Sequence, residues 1–283
     1  MTRDWSGMTP NSRCCCIGPR GGFAFALAVA VTACLTAVGT PPAEQAAGET
    51  PLARTRRLVA EKKPVRVVAF GDSISEVKPR WNGGAKTPEA NWAAVLVKRL
   101  GEAHPESAFT LRNFGVGGEN TAEGLARLDG LADHAPDLVL VAFGANDCCH
   151  HFLEPDATAR ALADLVAGIR TRYGVDVVVV GTGGDNPRKP FFRHLDETLA
   201  AQRKAAEQAG APFVDVRKAI LAVTAEGERW AEFHLAADNC HPNDAGHAVW
   251  AEAVASTIGA ATGARPTPAS SDPVCACEGL PMP

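Results

Sequence analysis

The sequence predicts an α/β protein built on a doubly wound parallel sheet of about five strands. Three observations carry this expectation. Short, unbroken runs of β-branched and aromatic residues recur from residue 65 onward, helical patterns separate them, and the first four runs lead into turns rich in Gly, Asn or Asp. Continuous apolar runs suit strands buried on both faces. Strands alternating with helices of this length imply right-handed crossovers that place helices on both sides of the sheet.

In chain order, the first segment of the 283 residues stands apart from the rest. A polar start with Arg13 and Arg20 precedes "GGFAFALAVAVTACLTAVG", Gly21 to Gly39, which carries no charge. A basic flank, an apolar centre and small residues at its end have the pattern of a secretory signal, and the length is close to the minimum for a membrane-spanning helix. Residues 1–40 are therefore expected to be a signal peptide or a lipoprotein or membrane anchor, and the protein to be exported. Within them "VTAC", ending at Cys34, resembles the lipobox of bacterial lipoproteins, which implies lipidation of that cysteine. Residues 41–63, headed by "PPAEQAAGETPLARTRR", read as a disordered linker.

The domain is expected over residues 64–262. Its strands are "VRVVAF" (65–70), "FTLRNF" (109–114), "DLVLVAF" (137–143), "VDVVVVG" (175–181) and "APFVDV" (211–216). Helical patterns lie between them: "NWAAVLVKRLGEA", "TAEGLARLDGLADH", "ATARALADLVAGIRTRYG" with Gly174 as C-cap, and "LDETLAAQRKAAEQAG". "GHAVWAEAVASTIGAA" closes the domain, and the Pro- and Ser-rich tail over 263–283 lies outside it. A hydrophobic share of 46%, a charged share of 21% and a net charge of -4 describe a globular protein without the broad basic field that nucleic acid requires. No nucleic-acid partner is expected. The membrane is reached, if at all, through the N-terminal segment.

Active sites of such sheets form at the carboxyl ends of the strands. There the sequence reads "GDSIS" after the first strand, "GVGGENT" after the second and "GANDCC" after the third, with "DNCHP" before the last helix. Ser73 stands on a glycine-led turn that exposes its hydroxyl, a poor nucleophile unless a base lies beside it. The glycines of the second block leave an amide N–H of Gly117 or Gly118 free to point into the site, and Asn146 can extend a side-chain N–H to the same place. Asp238, three residues before His241, can hold one ring nitrogen while the other accepts the serine proton. His247, at the start of the closing helix, reads as a solvent-facing or capping residue.

These four ordered blocks resemble the SGNH or GDSL hydrolase family, over roughly Val65 to Ala260. The resemblance implies a flavodoxin-like three-layer α/β/α sandwich and a serine esterase. It places the nucleophile on Ser73, the oxyanion donors on Gly118 and Asn146, and the acid and base on Asp238 and His241, with no cofactor and no metal. The family's "GDSL" reads "GDSI" here, a near-isosteric change at Ile74. The expected substrate is a small-molecule or carbohydrate ester with a short acyl chain, such as an O-acetyl group. Lysophospholipid or thioester cleavage and acyl transfer would use the same residues. Trp81, Trp92, Phe191 and Phe192 follow strand ends, where they would stack on a substrate ring or pack as core.

A metal-dependent hydrolase is a rival reading, drawing ligands from Asp72, Asp238, His241, His247 and the His150–His151 pair. A non-catalytic envelope-binding protein is another. Outside the leader lie five cysteines, Cys148, Cys149, Cys240, Cys275 and Cys277. A disulfide from Cys240 to Cys148 or Cys149 would brace the loop of the base against the oxyanion loop.

Overall fold

The computed structural model describes residues 51–263. The expected leader with Cys34, the first part of the expected linker, and the tail with Cys275 and Cys277 lie outside the described residues.

In chain order the elements are α1 (Ala53–Ala60), β1 (Val65–Gly71), α2 (Trp92–Ala103), β2 (Phe109–Asn113), α3 (Thr121–Ala126), β3 (Leu138–Ala142), α4 (Ala145–Cys149), α5 (Pro155–Tyr173), β4 (Asp176–Val180), α6 (Leu195–Gln208), β5 (Phe213–Val214), α7 (Val216–Val223) and α8 (Asp244–Thr262). All five strands are parallel, in the order β2-β1-β3-β4-β5. This is the expected doubly wound sheet.

Alternation along the strands divides the core in two. Val65, Val67 and Ala69 of β1, with Leu138 and Leu140 of β3, pack against α2, α7 and α8. Val68, Phe70, Val139 and Val141 point to the opposite face, against α5 and α6. Both faces of the central strands are buried, which is why these runs show no polar alternation. The helix α2 that follows β1 and the long helix α5 that follows β3 thus cover opposite faces, so the connections leaving these adjacent strands diverge and open a crevice at their carboxyl ends.

Two expectations are corrected. The linker assigned to 41–63 is ordered in its described part: α1 is docked on the domain, with Leu52 and Thr55 buried. Arg54 pairs with Asp137 (2.6 Å), and the Thr55 N–H donates to Asp176 (2.7 Å), at the amino ends of β3 and β4. Asp137 also pairs with Arg66 (2.8 Å). Partial burial works against its charge, but hydrogen bonds from Arg66 and Arg54 outweigh this and hold its carboxyl down at about 2. A helix of eight residues is too short to stand alone; its partners make it. The second correction concerns His247, which is fully buried rather than solvent-facing. It does cap a helix, though not its own: Nδ1 accepts the Trp92 N–H at the start of α2 (3.1 Å), and Nε2 faces the Gly83 carbonyl (3.1 Å).

Candidate active site

The turn that carries Ser73 is built by Asp72. Its Oδ1 accepts the Ile74 N–H (3.0 Å), and its carbonyl accepts the N–H groups of Ser75 (3.1 Å) and Glu76 (3.0 Å). The chain turns tightly at the end of β1 and leaves Ser73 part-exposed at the crevice. Asp72 itself is buried, and burial pushes its carboxyl up to about 7 against the opposing Ile74 amide, with the nearby charge of Asp147 adding to the rise.

The second block crosses beside it. Gly118 has φ +87, a conformation other residues rarely hold, and a Cβ there would meet nothing within 4 Å. The conformation, not crowding, calls for glycine, and the position faces open space. The N–H groups of Ser73 and Gly118 have no hydrogen-bond partner among the described residues. Asn120 then opens α3 through a capping box with Glu123.

The third block follows β3. Gly144, at φ +129, turns the chain into α4, whose second residue is the buried Asn146. The Asn146 side-chain amide donates to the Glu119 carbonyl (2.9 Å), which binds the second and third blocks together and leaves one amide hydrogen for another acceptor. Asp147 adds a second tie: its carboxylate accepts from the Thr121 N–H (3.1 Å) and the Thr158 hydroxyl (3.0 Å). Glu119 is anchored in turn by Arg127 (2.5 Å). The Arg127 guanidinium lies 4.5 Å from the Phe70 ring centre and 4.3 Å from that of Phe114, and also donates to the Gly71 carbonyl (3.2 Å).

The fourth block brings Asp238 and His241. Asp238 Oδ1 accepts the N–H groups of Cys240 (3.0 Å) and His241 (2.9 Å), so the carboxylate shapes its own loop. Its Oδ2 lies 2.9 Å from His241 Nδ1, and His241 Nε2 lies 2.8 Å from Ser73 Oγ. Partial burial disfavours the charge on Asp238, but the two amides and the imidazole outweigh it and hold the carboxyl below its ordinary range. A hydroxyl and an imidazole 168 positions apart thus meet at hydrogen-bonding distance. The indole of Trp81 donates to the Ser73 carbonyl (2.9 Å), and its ring stands edge-to-face with His241.

Ser73, Gly118, Asn146, Asp238 and His241 therefore share one rim of the sheet. The expected bridge to Cys240 is not formed: Cys148, Cys149 and Cys240 are free thiols. Cys148 is buried in the apolar core, where burial pushes its thiol up to about 12, and Cys240 Sγ lies 3.7 Å from His241 Nδ1. Of the residues considered as metal ligands, Asp238 and His241 come together with Cys240, while His247 is engaged in the core. Arg127 sits inside an amphipathic helical pattern and carries no signal in the sequence, and the sequence leaves Trp81 open between core and pocket.

Residues 69–249 match the GDSL-like Lipase/Acylhydrolase family. An arylesterase of Vibrio mimicus is 33% identical over 123 residues, 43% of this chain and 56% of the relative. An acetylxylan esterase of Geobacillus stearothermophilus is 25% identical over 213 residues, 69% of this chain and 94% of the relative. In fold the chain is similar to the crystal structure of a two-domain esterase active on acetylated mannans, with a TM-score of 0.62 at 22% identity, covering 80% of this chain and 58% of the other. The chain thus spans less than two thirds of the arylesterase and of the two-domain esterase. With all four blocks inside the matched span, the chain belongs to the GDSL-like Lipase/Acylhydrolase family.

Proposed function

We propose that the protein is a serine carboxylic ester hydrolase that removes short acyl groups, and that its substrates are O-acetylated carbohydrates. The observation that carries this reading is the unbroken relay from Ser73 Oγ to His241 Nε2 (2.8 Å) and from His241 Nδ1 to Asp238 Oδ2 (2.9 Å).

With its proton on Nδ1, directed at Asp238, the imidazole presents a lone pair on Nε2 to the serine hydroxyl. Ser73 Oγ attacks the acyl carbonyl as His241 takes its proton. The carbonyl oxygen becomes an oxyanion, which accepts hydrogen bonds from the N–H groups of Ser73 and Gly118 and from the free hydrogen of the Asn146 amide. Collapse breaks the C–O bond to the alcohol, which leaves with the proton from Nε2. Water then enters, gives its proton to Nε2 and attacks the acyl-serine, and the carboxylic acid departs as Ser73 regains its proton. Asp238 stays ionised throughout and favours the imidazolium formed in each half.

The carbohydrate assignment is supported by the acetylxylan esterase relative, 94% of which is covered. The large exposed apolar side chains among the described residues, Val116, Phe152 and Phe191, lie in loops after β2, β3 and β4, on the edge that carries the site. They suit an apolar sugar face better than a long acyl chain, which would need an enclosed groove. The test is acetate release by purified protein from acetylated xylo- and manno-oligosaccharides, beside nitrophenyl esters of rising chain length. Release from the oligosaccharides and a steep fall in rate beyond short chains are expected. A preference for long acyl chains, or no release from any acetylated glycan, would overturn the substrate assignment.

A further inference from the structure

The turn that carries Trp81 is a framed element rather than a free loop. Lys78 and Trp81 exchange N–H to carbonyl hydrogen bonds in both directions (2.8 and 2.9 Å), and Arg80 closes the turn at φ +71. From this frame the indole reaches two partners that lie near opposite ends of the domain's sequence. Nε1 donates to the Ser73 carbonyl at 2.9 Å, and the ring stands 4.9 Å from the His241 ring, centre to centre, at an interplanar angle of 88°.

We infer that Trp81 is a positioning residue, which holds the nucleophile turn and the plane of the base from one rigid group. The inference rests on the ester-hydrolase reading of the same site. Its physical content is a torsional one. The outer torsion of a histidine is broad, so the single bond from Nδ1 to Asp238 leaves the ring freedom to swing Nε2 off the serine hydroxyl. An indole packed edge-to-face on that ring removes the space for the swing. The Nε1 bond to the Ser73 carbonyl fixes the peptide plane that follows the nucleophile, and with it the direction of the Cα–Cβ bond that carries Oγ. Among the described residues, no other side chain makes a hydrogen bond or ring contact with both residue 73 and residue 241.

Two variants separate the parts. Trp81→Leu removes both the ring and the donor; Trp81→Phe keeps a ring against His241 and removes only the donor. The readouts are kcat and KM on nitrophenyl acetate, the rate at which a fluorophosphonate labels Ser73, and the melting temperature. A misplacement near 1 Å costs on the order of a hundredfold, so the Leu variant is expected to lose roughly tenfold to a hundredfold in kcat and in labelling rate. KM should stay within about twofold, and the Phe variant should recover part of the loss at an unchanged melting temperature. A Leu variant with kcat within about twofold of the parent would overturn the inference. So would a rise in KM alone, the mark of a substrate platform, a Phe variant no better than Leu, or losses that track a lowered melting temperature. A parent inert to both probes would overturn the hydrolase reading and this inference with it, a result distinct from an active parent with an undiminished Leu variant.

Discussion

Substituting Asp238 by Asn separates what this side chain does for the loop from what it does for the base. Its Oδ1 accepts two backbone N–H groups, from Cys240 and His241, while Oδ2 faces His241 Nδ1. An asparagine of the same shape keeps the carbonyl oxygen toward the two amides, so the loop and the fold should persist. Its NH2 then points at Nδ1 and forces the imidazole to accept there, which moves the ring proton to Nε2, opposite Ser73 Oγ. The base is blocked by its own proton. In the serine proteases this tautomer error lowers kcat about ten-thousandfold. Here the Asp238 side chain is 37% exposed, so water can compete for Nδ1 and restore part of the correct tautomer, and a loss of about a hundredfold to a thousandfold is expected, or about 3–4 kcal/mol of barrier. The assay is kcat on nitrophenyl acetate, paired with thermal melting. Asp238→Ala is the control, expected to lose stability as well because two loop amides lose their acceptor, at about 1 kcal/mol each. An Asn variant with kcat within about tenfold of the parent would refute the assigned tautomer and with it the base role of His241.

Three further outcomes follow from the same geometry. Asn146→Ala removes one of the proposed oxyanion donors and should lower kcat by about a hundredfold with little change in KM, although the loss of the bond to the Glu119 carbonyl should also loosen the second block, seen as faster proteolysis near Gly118. His247 is buried neutral with its pKa held down at about 4, chiefly by burial, against 6.5 for the unfolded chain. The unfolded state therefore binds the extra proton between those values. Stability contributed by the neutral ring is complete above pH 6.5 and is lost as pH falls toward 4, by about 1.4 kcal/mol per unit, and His247→Gln should flatten that acid limb in denaturant titrations run from pH 7 to 4.5. Arg54→Ala removes a partner of Asp137 and should release α1, so that limited proteolysis cuts within residues 53–60 while the remainder of the domain stays intact.

How much was legible in the sequence follows from how local each cause is. The strand runs were plain because the β1 and β3 residues are buried on both faces, so periodicity had no polar half to confuse it. Ser73, Gly118, Asn146, Asp238 and His241 were legible because each belongs to a short block whose turn chemistry is local. What escaped depends on partners far along the chain. The helix α1 looked like a linker because its order comes from Asp137 and Asp176, some 80 and 120 positions away. His247 looked exposed because it lies in the first turn of a helix, but α8 is packed against both α2 and α7, which buries Gly246 and His247 there as well as the middle of the helix. The cysteines suggested a bridge by their place in the blocks, whereas their side chains serve as core and as a neighbour of the imidazole. The Arg127–Glu119 strut under the second block could not be read from spacing, since eight residues and a helix start separate the pair.

The proposed reaction requires that Ser73 become acylated, with His241 as the base. It is tested most directly by mass spectrometry of the protein quenched during turnover of a slow ester, with the modified peptide sequenced. An acyl adduct on Ser73 is expected, absent in Ser73→Ala and formed much more slowly in His241→Ala. Ester hydrolysis that persists undiminished in Ser73→Ala, or an adduct on any other residue, would contradict it.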